Sequence, residues 1–362
     1  MTALCLQANV LRTAAHKGNS VRAMVVPRWG EASALREVAE PEAGPGEAVM
    51  KVRSAGVGLT LLNMRSGRFG GSTPRIMGHE LSGDIVAVGD GVTNVKTGDR
   101  CAVYFYLTCG HCRRCRGGRE TLCEKFGGYV GVHCDGGFAD LVRLPSGNFL
   151  PIPAGLDYEA AAIAADAVNT NWHCMRERAR INPHDQVLLI GAGGGVGIHG
   201  VQIAKLFGAR VIAADISDDK LALARRWGAD ETINVRAVDD LSAAVRAATD
   251  GLGVDAAVDY VGRGTTFQAA IDSLAVAGRA VAIGGLPEAF SFDTRRLVQT
   301  EKVITGSRHS TRAEFMETME IMARGIVKPV IGMRRHFTEL EDIFRAITDQ
   351  TLSGRGALTY DN

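Results

Sequence analysis

The stretch that most constrains this chain is Val187–Lys205, where a short apolar strand runs into a glycine-rich turn and then into a helix. Gly191, Gly193 and Gly197 give the spacing G-x-G-x-x-x-G, one residue longer than the usual dinucleotide-binding motif. A turn without Cβ atoms lets a phosphate approach the backbone, and the unpaired N–H groups that begin the next helix bind it. We therefore predict a dinucleotide site at this turn, and a glycine-rich strand-to-helix turn without a ligand is the alternative.

A carboxylate follows the next apolar strand at the distance expected for a coenzyme ribose. The segment 210–214 (RVIAA) begins about twenty residues after Ile190, the last position of the first strand, and Asp215 follows it directly. An acid at this position accepts hydrogen bonds from both ribose hydroxyls and repels a 2′-phosphate, which favours NAD over NADP. The alternative is an aspartate that only caps the following helix.

The composition limits the other function classes. A chain of 362 residues is long enough for two domains, each with its own core. A net charge of +1, from 41 basic and 40 acidic residues, argues against nucleic acid and against an anionic membrane surface as partners. The sequence contains no run of eighteen apolar residues, so it predicts no membrane-spanning helix.

We expect a cytoplasmic protein with a small-molecule substrate. Residues 1–20 are interpreted as a dispensable tail, with a targeting peptide as the alternative.

The hydrophobic pattern changes once along the chain. Residues 21–57 and 79–103 alternate between apolar and polar positions, with Gly and Pro between the segments, which predicts β structure. From about Tyr158 to Ile304, apolar strands alternate with helical stretches, which is typical of a doubly wound parallel sheet. The tail 312–362 contains helix and strand patterns that can fold back onto the first block. The predicted fold is therefore α/β, with a separate β-rich domain.

Four cysteines lie within fifteen residues in the segment CGHCRRCRGGRETLC, with the spacing C-x2-C-x2-C-x7-C. Four thiolates this close in sequence can surround one tetrahedral ion, and a zinc ion with four sulfur ligands has no open position for chemistry. We predict a structural zinc site; an iron–sulfur cluster and two disulfides are the alternatives. The predicted ligands are Cys109, Cys112, Cys115 and Cys123.

These features together resemble the medium-chain dehydrogenase/reductase superfamily, in particular its zinc-containing alcohol dehydrogenase branch. The resemblance runs from about Val21 to the end and includes GHELSGDIVAVGDGV, the cysteine cluster, DGGFADLVRLP and the glycine turn. It implies a GroES-like catalytic domain at 21–166 and 307–362, with the cysteine lobe at 109–123, and a Rossmann domain at 167–306. It also implies a cleft between the domains and hydride transfer on a nicotinamide.

The resemblance also implies a set of coenzyme contacts. The glycine turn binds the pyrophosphate, Asp215 and Lys220 bind the adenosine ribose, Val196 and Thr170 flank the nicotinamide ring, Arg263 reaches the adenine end, and Arg355 meets the pyrophosphate. A solvated surface position is the alternative for either arginine. The predicted coenzyme-binding residues are Thr170, Gly191, Gly193, Gly194, Gly195, Val196, Gly197, Asp215, Lys220, Arg263 and Arg355.

The sequence departs from the family at the catalytic zinc. Gly58 stands where the family has a metal-ligating cysteine, and Leu61 and Asn63 replace a supporting aspartate and a relay histidine. Four other positions match the family's catalytic residues, namely Thr60 as hydroxyl relay, His79 and Asp166 as metal ligands, and Glu80 beside them. Loss of one anionic sulfur from a site with three protein ligands weakens zinc binding, so a catalytic zinc at His79 and Asp166 is an open question.

Three functions therefore compete. The first is NAD-dependent alcohol or carbonyl chemistry, with zinc polarising the substrate oxygen and Thr60 passing on the proton. The second is zinc-free reduction of a carbon–carbon double bond next to a carbonyl, as in quinone and enoyl reductases of the superfamily. The third is a dinucleotide-binding protein without catalysis. The resemblance also implies a homodimer or homotetramer that assembles through the edge of the Rossmann sheet.

Overall fold

The computed structural model describes residues 19–361, so the predicted tail lies almost wholly outside the described residues. The strands are β1 (Ser20–Val26), β2 (Ala34–Ala39), β3 (Glu47–Val57), β4 (Arg75–Ile76), β5 (Glu80–Val88), β6 (Arg100–Val103), β7 (Tyr106–Leu107), β8 (Gly128–Tyr129), β9 (Leu141–Pro145), β10 (Phe149–Pro151), β11 (Gln186–Ile190), β12 (Arg210–Asp215), β13 (Glu231–Asn234), β14 (Val254–Asp259), β15 (Leu274–Ala282), β16 (Val303–Gly306), β17 (Ile331–His336) and β18 (Arg355–Thr359).

The α-helices are short, and two π-helical segments extend the chain around α4. The helices are α1 (Leu59–Arg65), α2 (Arg113–Arg116), α3 (Tyr158–Ile163), α4 (Asn169–His173), α5 (Gly197–Leu206), α6 (Asp218–Arg226), α7 (Leu241–Ala247), α8 (Gly264–Asp272), α9 (Thr294–Thr300), α10 (Arg312–Ala323) and α11 (Leu340–Thr348). The π-helical segments are Ala164–Val168 and Cys174–Arg178. Among the described residues, no helix has the length and apolarity that crossing a bilayer requires.

The chain divides into two compact units. The first consists of the residues through Asp166 together with Thr311–Gly325 and the segment from Ile331 onwards, and the second consists of Ala167–Ser310 with Ile326–Val330. The C-terminal segment therefore returns to the first unit after the chain has completed most of the second.

The first unit is built on a seven-stranded sheet. Its strand order is β10-β6-β5-β3-β18-β17, with β9 also paired to β3. The central strand β3 is an 11-residue strand whose second half is almost entirely buried. Strand β18 pairs antiparallel with β3 so that Gly356 lies opposite Val57. This register brings the first residue of β18, Arg355, next to Gly58, although the two are far apart in sequence.

The second unit is a six-stranded, all-parallel sheet in the order β13-β12-β11-β14-β15-β16. The chain passes from β11 to β12 on one side and reaches β14 on the other, so the strand order reverses at β11. Ligands of open parallel sheets bind at the carboxyl ends of the strands beside such a reversal. The glycine turn follows β11 at this point.

The core of the second unit explains why its strands are continuous apolar runs. Strands β11, β12 and β14 contribute residues with almost no exposure, among them Leu188, Ile212 and Ala257. Strands that are covered on both faces lose the alternation of polar and apolar residues. The α/β fold class predicted from the sequence is confirmed. The helix and strand patterns of the tail 312–362 form α10, β17, α11 and β18.

Candidate functional site

The glycine turn has the geometry that phosphate binding requires. The backbone of Gly191 has φ +82°, and its N–H donates to the carbonyl of Ala214 at 2.8 Å, which fixes the start of the turn at the carboxyl end of the sheet. Helix α5 begins directly afterwards at Gly197. The predicted residues 191–197 therefore connect a buried parallel strand to a helix N-terminus, where free N–H groups and the helix dipole attract an anion.

Asp215 lies beside this turn and is already oriented by it. The carboxylate is 6% exposed, and its Oδ2 accepts the N–H of Gly193 at 2.9 Å while Oδ1 accepts the N–H of Ile216 at 2.8 Å. Asp215 does not cap helix α6 through its side chain, since the N-cap residue of that helix is Ser217. The alternative of a purely capping aspartate therefore finds no support in the hydrogen bonds.

A buried histidine that the sequence analysis did not predict as a site residue is hydrogen-bonded to the glycine turn. His199 is fully buried in α5; its Nδ1–H donates to the carbonyl of Gly195 at 2.9 Å, and its Nε2 accepts the N–H of Val330 at 3.0 Å. Asn171 adds a second connection, because its side-chain amide donates to the carbonyl of Val196 and its oxygen accepts the hydroxyl of Tyr260. The turn is thus held by polar side chains that no glycine spacing reveals.

We expect His199 to make the stability of the protein depend on pH. Burial lowers the pKa of His199 to about 4 from its ordinary 6.5, so the unfolded chain binds a proton that the folded chain does not bind between these values. Stability should fall as the pH drops from 6.5 to 4, by up to about 3 kcal/mol from this group. Urea unfolding of the wild type and of His199→Gln at pH 7 and pH 5 measures this effect. An equal pH dependence in both proteins would contradict it.

The remaining coenzyme candidates occupy distinct places in the second unit. Thr170 lies buried in α4, where its hydroxyl is 3.2 Å from Nδ1 of His309. Arg263 is the exposed N-cap residue of α8, which follows the carboxyl end of β14. Lys220 lies in the first turns of α6, half-buried. Their coenzyme contacts stay predictions.

The four cysteines predicted to bind zinc converge on one point. Their sulfur atoms all lie within 4.8 Å of one another, and Sγ of Cys112 is 3.5 Å from Sγ of Cys115 and 4.0 Å from Sγ of Cys123. Four sulfurs at the Zn–S distance of about 2.3 Å lie about 3.8 Å apart, so the cluster fits a tetrahedral zinc ion. A disulfide needs sulfurs about 2.0 Å apart, which these pairs are not.

Backbone N–H groups prepare the cysteine cluster for an ion. The N–H of Cys112 donates to Sγ of Cys109 at 3.3 Å, and the N–H of Lys125 donates to Sγ of Cys123 at 3.3 Å. The N–H of Cys115 lowers the pKa of the Cys112 thiol to about 6, which favours the thiolate that a metal requires at this position, whereas burial raises the pKa of the Cys115 thiol to about 12. A bound zinc ion would hold the lobe 109–123 together and leave no position open for a substrate.

His79, Glu80 and Asp166 form a second cluster in the first unit. Each offers a ligand atom within 4.8 Å of the others, and Nε2 of His79 is 3.8 Å from Glu80 Oε1 and 3.7 Å from Asp166 Oδ2. His79 is fully buried against the ring of Phe105, and neither of its ring nitrogens has a hydrogen-bond partner among the described residues. The sequence prediction thus selected three side chains that the fold brings together.

Arg355 completes this cluster in a way that the sequence did not predict. Its side chain is 1% exposed; Nε donates to Glu80 Oε2 at 3.1 Å, and Nη2 contacts Glu80 Oε1 and donates to Asp166 Oδ2 at 3.1 Å. Burial lowers the pKa of Arg355 to about 9, which leaves the guanidinium charged at neutral pH. The structure places this charge on two carboxylates, and the pyrophosphate contact of Arg355 stays a prediction.

Comparison with known proteins follows the same division of the chain. Residues 44–154 match the family described as alcohol dehydrogenase GroES-like domain, and residues 195–324 match the family described as zinc-binding dehydrogenase. The protein AibC has 32% sequence identity and a TM-score of 0.88, over 96% of this chain and 97% of that one. An NAD-dependent alcohol dehydrogenase has 31% identity and a TM-score of 0.86, over 93% and 99% of the two chains. This chain belongs to the zinc-containing alcohol dehydrogenase branch of the medium-chain dehydrogenase/reductase superfamily.

A third similar structure is the acetophenone reductase of Geotrichum candidum, which was solved in complex with NAD. It has 30% sequence identity to this chain and a TM-score of 0.83, over 94% of this chain and 97% of that one. The predicted GroES-like and Rossmann architecture is thereby confirmed, and the chain is an oxidoreductase of this family.

Within this family, helix α1 carries the residues in which the chain departs from the zinc pattern. Gly58 is the N-cap residue of α1, and Leu61 is fully buried where the family pattern has an aspartate. Thr60 and Asn63 are half-buried on the same helix. A buried leucine can support no metal ligand by hydrogen bonding, so α1 supplies packing where the family pattern has polar support.

The donor set around His79 decides whether a catalytic zinc ion fits this cluster. One imidazole and two carboxylates are acceptable zinc ligands, yet both carboxylates already accept hydrogen bonds from a guanidinium, and that cation would face a divalent ion at short range. The space beside Gly58 is filled by the same guanidinium, because a Cβ atom on Gly58 would lie 2.0 Å from Arg355 Nη1. The residues in this arrangement do not fit a catalytic zinc ion.

Proposed function

We propose that the protein is an NAD(H)-dependent oxidoreductase that transfers hydride between a nicotinamide and an alcohol or carbonyl substrate. The observation that carries the proposal is the pair formed by the glycine turn and the buried carboxylate of Asp215, which are hydrogen-bonded to each other at the carboxyl ends of β11 and β12. This is the place and the charge that an adenosine ribose with free hydroxyls requires.

Asp215 supports NAD rather than NADP as the coenzyme. A 2′-phosphate beside this carboxylate would face a like charge in a buried setting, and like charges held together cost several kcal/mol. Two solved relatives agree with this choice, since one is described as NAD-dependent and another was solved with NAD. When bound, the nicotinamide would supply the hydride chemistry, and the protein would supply position and charge.

The residues around Arg355 favour a second candidate reaction. Without a metal at His79, only hydrogen bonds or the guanidinium could polarise the carbonyl oxygen of a substrate. Reduction of a carbon–carbon double bond conjugated to a carbonyl is a reaction that needs no Lewis acid. The buried guanidinium on Glu80 and Asp166 is the observation that favours this alternative. The substrate is in either case a small molecule with a carbonyl or alcohol group.

We expect Asp215→Ala to lose the preference for NAD. Removal of a repulsion of about 2 kcal/mol should narrow the NAD/NADP affinity ratio on the order of 30-fold. Asp219→Ala is the matched control, because Asp219 is an exposed aspartate on the neighbouring helix α6. Isothermal titration of both coenzymes with the wild type and the two variants gives the ratios. An unchanged ratio in Asp215→Ala would contradict the ribose assignment.

Turnover separates the catalytic proposals from simple coenzyme binding. A panel of alcohols, aldehydes and enones is offered with NAD or NADH while the nicotinamide absorbance is followed. Turnover of alcohols and aldehydes supports the first reaction, and turnover confined to enones supports the second. Coenzyme binding without any turnover would favour the third possibility, a non-catalytic dinucleotide-binding protein.

We also propose assembly into a homodimer or homotetramer. Strand β16 lies at the edge of the parallel sheet, and Val303 on this strand and Val298 on the preceding helix α9 are 47% and 77% exposed in the single chain. An open strand edge with apolar neighbours is a surface on which a second copy can add. Light scattering of the purified protein measures the molecular mass, and a monomer would contradict the proposal. The cytoplasmic location stays a prediction.

A further inference from the structure

The cluster of His79, Glu80 and Asp166 contains a cation of its own, and two glycines make room for it. A Cβ atom on Gly56 would lie 2.1 Å from Glu80 Oε2, and a Cβ atom on Gly58 would lie 2.0 Å from Arg355 Nη1 and 2.3 Å from Cζ. Any side chain at position 58 therefore collides with the guanidinium as it stands. Position 58 can hold a thiolate only if Arg355 leaves.

The guanidinium is fixed in this position by the sheet as well as by charge. Arg355 is the first residue of β18, and the pairing of Gly356 with Val57 places it beside the end of β3. Glu80 begins β5 and pairs with Gly56 on the other side of β3. The pairing of these three strands therefore places the guanidinium beside the Glu80 carboxylate. The Arg355 side chain is almost completely buried, so it cannot turn into the solvent.

The cluster offers a metal ion too few free lone pairs. The carboxylate oxygens that lie nearest to His79 are Glu80 Oε1 and Asp166 Oδ2, and both of them contact the Arg355 guanidinium. Glu80 Oε2 accepts a further hydrogen bond from Arg355, so at the centre of the cluster only the imidazole of His79 faces no cation. A single imidazole does not hold zinc, since zinc sites in proteins use three or four protein ligands.

We propose that Arg355 takes the place of a metal ion and its cysteine ligand in this cluster, so that the folded chain binds one zinc ion, in the cysteine cluster, and none at His79. Gly58 is then the residue that admits the guanidinium, and Arg355 is the residue that keeps the metal out. The proposal concerns metal binding and does not depend on which coenzyme or substrate the protein uses.

The first test counts zinc in the purified protein by elemental analysis after expression in zinc-supplemented medium. We expect one zinc ion per chain in the wild type, the same in His79→Ala, and about none in Cys112→Ser. A wild type with two zinc ions per chain, of which His79→Ala loses one, would overturn the proposal. This test needs only the wild type and single substitutions, so it stands even where a double variant fails to fold.

The second test tries to restore a metal site. Gly58→Cys/Arg355→Ala removes the guanidinium and supplies the missing thiolate, and Gly58→Ala/Arg355→Ala is the matched variant without the sulfur. We expect two zinc ions per chain in the first and one in the second, with cobalt substitution showing a new thiolate-to-metal absorption only in the first. A folded Gly58→Cys/Arg355→Ala protein that still binds one zinc ion would show that Arg355 does not exclude the metal.

A coenzyme titration on the same samples keeps the two proposals apart. A wild type that binds one zinc ion and no NAD would contradict the proposed function and leave the inference about Arg355 supported. A wild type that binds NAD and two zinc ions would do the reverse.

Discussion

Replacement of Arg355 by methionine should destabilise the first unit by about 3–5 kcal/mol, because it leaves the carboxylates of Glu80 and Asp166 buried without their counter-ion. Methionine keeps most of the side-chain volume, so the loss of stability is caused by the missing positive charge and not by a cavity. The free energy of unfolding from urea denaturation, measured without coenzyme, gives the effect.

A matched substitution and a double variant test this explanation. Arg334→Met removes a similar two-bond ion pair with Glu159 from the neighbouring strand β17, but Arg334 is 58% exposed, and such a pair contributes only about 0–1 kcal/mol. Glu80→Gln/Arg355→Met should be more stable than Arg355→Met alone by about 1 kcal/mol or more, because one unpaired charge is gone. If both arginine variants lose equal stability, burial of the charge is not the cause.

The two-unit fold and the glycine turn were predictable because both depend on residues that are close together in the sequence. Apolar runs such as 187–190 and 210–214 occur where strands are covered on both faces, and the turn that follows Ile190 needs glycines for its backbone. The cysteine cluster is equally local, since all four ligands lie on one loop of fifteen residues. The sequence was sufficient wherever the interacting residues are neighbours along the chain.

The guanidinium beside Gly58 was not predictable because it depends on strand register. Gly58 by itself indicated only that a thiolate was missing, whereas the structure shows that it provides the space for Arg355. This pairing follows from the alignment of β18 with β3, which brings together residues at opposite ends of the chain. One further signal was present in the sequence: Glu80 and Asp166 are two acids in apolar surroundings, which require a cation nearby.

His199 was missed for a related reason. In the sequence it interrupts the apolar pattern of α5, and its two partners are a carbonyl in the glycine turn and an N–H on Val330. Neither partner is visible in a hydrophobic pattern, because both are backbone groups. A histidine inside an apolar helix next to a glycine turn is the signal that could have identified it.

Gly197→Ala should weaken coenzyme binding strongly and destabilise the second unit. A Cβ atom at this position would lie 2.2 Å from the carbonyl oxygen of Gly191 and 2.9 Å from Cα of Ala192, and both atoms belong to the backbone of the turn. The turn can accept the methyl group only by moving away from α5, at a cost of about 1–3 kcal/mol. Such a movement breaks the alignment between the turn and the free N–H groups of the helix, so the loss of about two charge-assisted hydrogen bonds should raise the Kd for NAD on the order of 100-fold.

Gly194→Ala provides the control on the same turn. A Cβ atom on Gly194 would lie 3.4 Å from the Gly191 oxygen, an ordinary contact, and the backbone there has a negative or extended φ. Its melting temperature should therefore stay close to that of the wild type, whereas that of Gly197→Ala should fall by several degrees. Calorimetric titration with NAD and a thermal melt of each variant measure both effects. If Gly197→Ala binds NAD with wild-type affinity, the close contact between α5 and the turn after β11 is not required for coenzyme binding. The assignment of this turn as the coenzyme site would then lose its structural basis.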